Sequence, residues 1–223
     1  MEDGSGTSLG YVQNDPNYWT PQLTPDSSSA MIVDFTLNGT SGSQISIEPE
    51  NTNESAFPDL GLVVGRDSTS SDIASGNFNY LYLDNTDATN PGATPQSAPN
   101  YFATQSGLSK QSESAVWAID VNALTIDPVW INTDSSTPTT DTFVQSNHLY
   151  AGGDPDAFHS RFPAPVTPTT LHLDILSAVP EQTTAVPEPA SWSLLLGGLV
   201  SFGIFRRSNR FKACAAGRNR KPA

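Results

Sequence analysis

Cysteine and basic side chains are scarce in this sequence, and each shortage excludes a class of protein. One Cys among 223 residues cannot build a disulfide framework. Ten Lys and Arg residues against 23 Asp and Glu argue against a nucleic-acid partner, because phosphate contacts need clustered positive charge. Apolar residues make up 36% of the chain, against roughly 45–50% in average domains, an average that also counts Gly. Much of the rest is Ser, Thr, Asn, Asp, Pro and Gly, the residues typical of turns.

The charges that are present divide the chain into two parts. Residues 1–205 carry all 23 acidic residues and only three basic ones, so their formal charge is −20. The last 18 residues carry seven basic residues and no acidic one, a charge of +7. An asymmetry of this size indicates that the two ends face different surroundings.

An uncharged apolar run, 190–205, separates the two parts. Its 16 residues would span about 24 Å as a helix, against a hydrocarbon core of about 30 Å. The side chains at its ends reduce this difference in length, because they can lie in the membrane interfaces: Trp192 at one end, and Arg206 and Arg207 at the other. We predict a transmembrane helix with its basic end in the cytoplasm; the alternative is a buried core helix. The anchor residues are Trp192, Leu194, Leu195, Leu196, Leu199, Val200, Phe202, Ile204 and Phe205, and the stop-transfer residues are Arg206, Arg207 and Arg210.

A short Pro-Glu-Pro motif, Val186, Pro187, Glu188 and Pro189, directly precedes the apolar run. The order of motif, apolar helix and Arg cluster resembles the PEP-CTERM sorting signal of exported bacterial proteins, a tail also labelled as an ice-binding protein C-terminal domain. The resemblance implies an inner-membrane precursor with its body outside the cytoplasm. An exosortase would cleave it near the motif and deliver it to the cell surface or the extracellular matrix of a biofilm. Membrane and exosortase are therefore the expected partners, with exopolysaccharide as a further one.

The two ends of the chain depart from that pattern. Export needs a signal peptide with a basic segment and an apolar segment, and residues 1–6 provide neither. We therefore expect the true start to lie upstream. At the other end, 208–223 extend well past the Arg cluster and are predicted to be a basic cytoplasmic tail.

The body of the chain has the pattern of a β protein. Eight short segments are rich in apolar, β-branched or aromatic residues, several of them end at turn residues, and no stretch has helical periodicity over three turns. We predict an all-β sandwich or jelly-roll domain over 1–176, a Pro/Thr linker over 177–186, and the sorting signal with its helix over 187–207. The eight predicted strand segments are 30–37, 60–65, 78–83, 115–121, 125–131, 142–144, 148–150 and 171–176.

Loops rich in Asp provide the main candidate metal ligands. Asp84 and Asp87 follow one predicted strand, and Asp154 and Asp156 lie in a Gly- and Pro-rich segment. Calcium prefers six to eight oxygen ligands, so a weak Ca²⁺ site at these residues is one hypothesis. The other is that they are solvated turn residues, and no other cofactor is expected.

One catalytic pattern, G-x-S-x-G at 6–10, lacks the preceding strand and following helix that a nucleophile elbow needs, which favours a non-enzymatic surface or matrix protein. The alternative is a jelly-roll carbohydrate-binding module or glycoside hydrolase, which would need a cleft that combines exposed Trp or Tyr with two suitably spaced carboxylates. Trp117 and Trp130 lie in strand patterns and are predicted to be core residues. Tyr18 and Trp19 lie outside any strand and are the predicted surface residues for stacking on a sugar.

Overall fold

The computed structural model describes residues 1–13, 20–52, 54–179 and 209–215, and most of their regular structure is β-strand. The described residues also form two short α-helices, α1 (Tyr101–Ser106) and α2 (Pro155–Arg161), and a 3₁₀ turn at Ser27–Ser29. The strands are β1 (Glu2–Asp3), β2 (Tyr11–Gln13), β3 (Gln22–Thr24), β4 (Ile32–Leu37), β5 (Ser41–Ile45), β6 (Ile47–Pro49), β7 (Asp59–Val64), β8 (Tyr80–Thr86), β9 (Ser112–Glu113), β10 (Trp117–Asp120), β11 (Thr125–Pro128), β12 (Asp141–Gln145), β13 (His148–Gly152), β14 (Val166–Thr170), β15 (Leu173–Val179) and β16 (Asn209–Ala215).

The prediction of an all-β body is confirmed. Each of the eight predicted segments overlaps one strand, from β4 through β15. The strand ends differ from the predicted ones by up to three residues. At β8, Asp84 and Asn85 do not form a turn but continue the strand, where they pair with Gly61 and Leu60 of β7. The helices have six and seven residues, too few to produce a visible helical period.

Thirteen of the described strands form one large, curled antiparallel sheet. Its main path runs β1-β14-β12-β13-β8-β7-β6-β4-β16-β15, with β2, β3 and β9 paired off this path. A smaller sheet has the order β11-β10-β5. The hairpin between β12 and β13 turns at Ser146 and Asn147, which both have positive φ, as a tight two-residue hairpin turn requires.

The two sheets share one apolar core. Val33, Phe35 and Leu62 of the large sheet belong to the same buried cluster as Trp117 and Ile119 of the small sheet. Trp117 and Trp130 are 1% and 0% exposed, which confirms that both are core residues. The indole of Trp117 also donates a hydrogen bond to the carbonyl of Leu60 at 2.7 Å, so it links the sheets by a polar contact as well.

The C-terminal strand β16 comes from the segment 208–223. Asn209–Ala215 lies between β4 and β15 and pairs antiparallel with both. Ala213 is fully buried in the shared core. Seven residues of the segment 208–223 thus form part of the sheet. The cytoplasmic location of that segment stays a prediction.

The predicted membrane anchor, 190–205, lies outside the described residues, as does the linker from residue 180 onward. Among the residues that the structure does describe, no helix is both long enough and apolar enough to span a bilayer.

Glu113 is a buried acid beside β7 with an incomplete set of hydrogen bonds. It is 2% exposed, its Oε2 accepts the N–H of Ile131 at 3.2 Å, and its Oε1 has no partner among the described residues. Burial raises the pKa of this carboxyl to about 8. The folded protein therefore holds a proton here that the unfolded chain loses near pH 4.5.

Replacing this acid with its neutral isostere, Glu113→Gln, is expected to remove a pH dependence of stability. Because the folded pKa is raised, the wild type should lose stability as the pH rises from about 4.5 to about 8. At pH 9 the variant should be more stable by about 1–3 kcal/mol, because it avoids ionising a buried carboxyl that has one unpartnered oxygen, with little difference at pH 4. Urea denaturation at both pH values measures this, with the exposed Glu50→Gln as control. If the free energies of unfolding of wild type and variant changed in parallel with pH, Glu113 would not be the buried acid with the raised pKa.

Candidate functional site

The sorting-signal residues are mostly beyond what the structure describes. Val186, Pro187, Glu188 and Pro189 lie outside the described residues, together with all nine anchor residues and Arg206 and Arg207. Arg210 is described as part of β16, where its backbone pairs opposite Thr36 and Val179. The roles assigned to these residues therefore stay predictions.

Asp84, one of the proposed calcium ligands, is a buried strand residue. Its Oδ1 accepts the N–H of Asn85 at 2.8 Å, and its Oδ2 accepts the N–H of Phe102 in α1 at 2.8 Å. Burial raises the pKa of this carboxyl well above its usual value. Asp84 thus holds the start of α1 against β8. Asp87 lies just after the end of the strand and is half-buried.

Asp154, another proposed calcium ligand, caps a helix. Its Oδ1 accepts the N–H of Ala157 at 2.8 Å, which makes it the N-cap of α2, and its Oδ2 accepts the N–H of Gly76 at 2.7 Å. These two backbone donors lower the pKa of its carboxyl. Asp156 follows in the first turn of α2 and is exposed. Over the described ranges, no group of three or more His, Cys, Asp or Glu residues is arranged to hold a metal ion.

The most distinctive cavity lies on the face of the large sheet opposite the shared core. Strand β8 alternates: Leu81 and Leu83 point into the shared core, whereas Tyr80 and Tyr82 belong to a second, aromatic cluster. Helix α2 and the residues after it cover part of this cluster. The cavity has a volume of about 270 Å³. We call it the tyrosine pocket, and it is lined by Arg66, Asp67, Tyr80, Tyr82, Gln145, Tyr150, Phe158 and Phe162.

Strand register accounts for the floor of the tyrosine pocket. Tyr82 of β8 pairs with Tyr150 of β13, and Tyr150 pairs in turn with Phe143 of β12. Directly paired residues on neighbouring strands share one face of the sheet, so the three rings form a row. Ring centroids along the row are 6.0 Å and 5.9 Å apart. Gln145, two residues after Phe143, lies on the same face of β12.

The wall of the pocket comes from α2 and the residue that follows it. Phe158 lies 5.1 Å from Tyr80 between ring centroids, and Phe162 lies 4.8 Å from Phe158. Phe158 is 3% exposed, whereas Phe162 and Tyr150 are only half-buried. The ring surface open to the cavity therefore comes mainly from Tyr150 and Phe162.

Polar groups in the pocket fall into two sets. The hydroxyls of Tyr80 and Tyr82 form a hydrogen bond with each other at 3.1 Å, and the backbone N–H of Asp67 donates to the Tyr80 hydroxyl at 3.4 Å. The amide nitrogen of Gln145 donates to the carbonyls of Phe162 and Ala164 at 2.8 and 2.9 Å. By contrast, the Tyr150 hydroxyl and the Gln145 Oε1 have no hydrogen-bond partner among the described residues. One O–H group and one strong acceptor thus remain for a ligand.

The tyrosine hydroxyls stay protonated at physiological pH. Burial raises the pKa of Tyr80 and of Tyr82, and burial together with the neighbouring Tyr80 raises the pKa of Tyr150 to about 12. The pocket therefore presents neutral hydroxyl donors rather than phenolate charges.

A second cavity, of about 290 Å³, has a different chemistry. Asp34 of β4 and Glu48 of β6 line it and are paired directly with each other. Gln44, Ser46 and Phe35 also line it. It has two carboxylates but no Trp or Tyr, whereas the tyrosine pocket has the aromatic rings but one carboxylate. Neither of these two cavities combines both features that the glycoside hydrolase alternative needs.

Sequence reasoning missed the tyrosine pocket, although part of its signal is visible. Tyr80 and Tyr82 alternate within a predicted strand, and Phe158 and Phe162 are four residues apart, a spacing that places side chains on one helix face. The pairing of β8, β13 and β12 that assembles the site is non-local and has no sequence signature. The predicted stacking residues Tyr18 and Trp19 lie outside the described residues.

Comparison with known proteins identifies the tail of the chain. Residues 185–210 match the model of the PEP-CTERM protein-sorting motif, which confirms the resemblance found in the sequence. No curated protein and no solved structure matches the chain. The match covers the sorting segment and does not extend to the body.

Proposed function

We propose that this chain is an exported bacterial surface or exopolysaccharide-matrix protein, sorted through its C-terminal motif and apolar anchor. The single observation that carries the proposal is the PEP-CTERM protein-sorting motif at residues 185–210. An exosortase recognises the segment around Pro187, Glu188 and Pro189 and cleaves the inner-membrane precursor near it. The body is a β-sandwich or jelly-roll domain that remains outside the cytoplasm and acts by binding rather than by catalysis.

The physical features of the tail support this order of events. Prolines at 187 and 189 keep the backbone extended and non-helical, which lets a protease reach it just outside the bilayer. The apolar run 190–205 anchors the precursor, and Arg206 and Arg207 hold its basic end in the cytoplasm. The formal charge of −20 on residues 1–205 keeps the exposed body soluble.

Changing the motif should block processing. The full chain, fused to a cleavable export signal, is expressed in a host that contains an exosortase and in one that lacks it. We expect Glu188→Ala to accumulate as a full-length membrane-bound precursor even in the first host, as the wild type does in the second. Glu181→Ala removes the same kind of side chain seven residues upstream and is the matched control, expected to be processed normally. Intact mass and membrane fractionation give the readout.

Two results would contradict the proposal. One is equal processing of Glu188→Ala and Glu181→Ala in the exosortase host. The other is a cysteine-labelling experiment that places the segment after Arg207 outside the cytoplasm, since the anchor would then have the wrong orientation.

A second candidate function, a carbohydrate-binding module, is favoured by one observation. The tyrosine pocket combines half-buried Tyr and Phe rings with hydrogen-bonding groups that have no partner among the described residues. Apolar rings with a few fixed polar groups are the usual composition of small-ligand sites. This candidate is compatible with the first, since a matrix protein needs a means of binding its matrix.

A further inference from the structure

We propose that the tyrosine pocket binds a single neutral pyranose ring. This inference rests on the second candidate function and specifies its site and ligand class. The occupant would stack on Tyr150 and Phe162 and exchange hydrogen bonds with the Tyr150 hydroxyl and the Gln145 Oε1.

Size and shape restrict the ligand to one small ring. Pockets for drug-sized ligands have volumes of roughly 300–1,000 Å³, and this one has about 270 Å³. Its floor and wall are aromatic, which suits the flat C–H face of a pyranose. A longer saccharide would extend past the exposed residues Arg66 and Asp67 at the rim.

The charges around the pocket do not select an ion. Arg66 and Asp67 lie together at the rim, so an ion of either sign meets one attractive and one repulsive group there. Inside the rim the hydroxyls of Tyr80, Tyr82 and Tyr150 are neutral, because their raised pKa values keep them protonated. A neutral ligand matches this lining.

Hydrogen-bonding capacity separates a sugar from a purely apolar ring. The Tyr150 hydroxyl can donate and accept, and the Gln145 Oε1 accepts. Gln145 is held in place because its amide nitrogen bonds the carbonyls of Phe162 and Ala164. A ligand with neighbouring hydroxyls can satisfy both groups at once, whereas an aromatic hydrocarbon would leave them unpaired.

The test is a calorimetric titration of the full chain, in detergent, with four kinds of probe. They are neutral methyl pyranosides of glucose, galactose, mannose and N-acetylglucosamine; glucuronate as the anion; tetramethylammonium as the cation; and indole as the apolar ring. At least one neutral pyranoside is expected to bind in the millimolar range and more tightly than the other three kinds of probe. Binding of none of the pyranosides, or tighter binding of a charged probe or indole, would overturn the inference.

Tyr150→Phe provides the discriminating variant. It removes a hydroxyl without a partner among the described residues, so the urea midpoint should not change, while pyranoside affinity should fall about five- to ten-fold. Tyr11→Phe is the matched control, because Tyr11 packs near Ala30, away from the pocket. Equal affinity of Tyr150→Phe and wild type would overturn the assignment of the site.

A glycan array probed with the same variants, with and without Ca²⁺, separates this inference from the candidate function on which it rests. Array binding that survives in Tyr150→Phe would leave a carbohydrate-binding module standing and remove the pocket as its site. An array without any bound glycan would remove both. Neither outcome affects the sorting proposal, which is tested by the processing of Glu188→Ala.

Discussion

Replacing Trp117 with alanine is expected to lower the free energy of unfolding by about 3–5 kcal/mol, a large share of the roughly 5–15 kcal/mol that stabilises a typical domain. Its side chain is 1% exposed and lies in the core shared by the two sheets. The truncation leaves a cavity there. It also deprives the Leu60 carbonyl of the indole N–H that reaches it at 2.7 Å.

The position of Trp117 explains why the loss should affect the whole domain. Its backbone pairs with Pro128 of β11 and Ile45 of β5, so β10 is the central strand of the small sheet. The indole donates a polar contact from that sheet to β7 of the large one. Without it, the shared core has a void between the two sheets, and the backbone contacts that remain, such as the Leu173 N–H to the Leu124 carbonyl, lie at the edge of the small sheet.

Urea denaturation, followed by circular dichroism, measures the effect. Trp117→Phe keeps most of the ring volume but not the N–H, and should lose less than the alanine variant. Leu108→Ala is the control, because Leu108 is 40% exposed and its truncation should change stability by at most about 0.5 kcal/mol. A loss below about 1 kcal/mol for Trp117→Ala would show that the indole does not fill the core.

Local sequence patterns were sufficient to predict the central strands. Segments such as 30–37 and 115–121 alternate or concentrate apolar residues because one face of each lies on the shared core, and burial requires that pattern. The same logic identified Trp117 and Trp130 as core residues. These patterns indicate which face of each strand is buried in the core.

Strands without an apolar face could not be predicted in this way. Strand β5 (Ser41–Ile45) and strand β14 (Val166–Thr170) are mostly polar, and they form through pairing with β10 and β12. Pairing depends on residues far apart in the chain. The tyrosine pocket was missed for the same reason, since most of its lining side chains come from three strands and a helix.

The two helices did leave local signals that composition obscured. Asn100 and Asp154 each cap a helix, and Pro155 begins the second one. In a chain so rich in Asn, Asp and Pro, these residues also fit turns, and Asp154 fitted a calcium ligand as well. The distinction needs the backbone donors that each side chain actually meets.

Strand β16 and the proposed sorting require different arrangements of the same residues. Asn209–Ala215 pairs with β4 and β15 in the body of the protein. If 190–205 crosses the bilayer, as we propose, 209–215 lies on the side opposite the body and cannot pair with it. Pairing and membrane insertion are therefore mutually exclusive states of the tail, and cleavage near Glu188 would remove β16 from the sheet permanently.

Removing the tail should expose the edges of β4 and β15. Hydrogen–deuterium exchange would compare the full chain in solution with a chain ending at Pro189. In the shortened chain the β4 amides that face β16 should exchange on the order of 10³-fold faster. In the full chain these amides exchange only through global unfolding, which costs about 5 kcal/mol or more. Amides at the free edge of a sheet exchange through local opening, which has a lower free energy. The β4 amides that face β6 should keep their protection, because that pairing is retained.

A point substitution separates loss of pairing from loss of the whole tail. Phe211 pairs opposite Phe35 of β4, and Phe211→Pro in the full chain removes a backbone donor and disrupts β16 without shortening the chain. It should reproduce the rapid exchange of the truncated protein, whereas Phe211→Leu should not. Equal protection of β4 in all four proteins would mean that β16 does not occupy the sheet in solution, leaving the tail free for the membrane at every stage. Protection lost only with the truncation or the proline would mean that the tail must leave the sheet before it can be sorted.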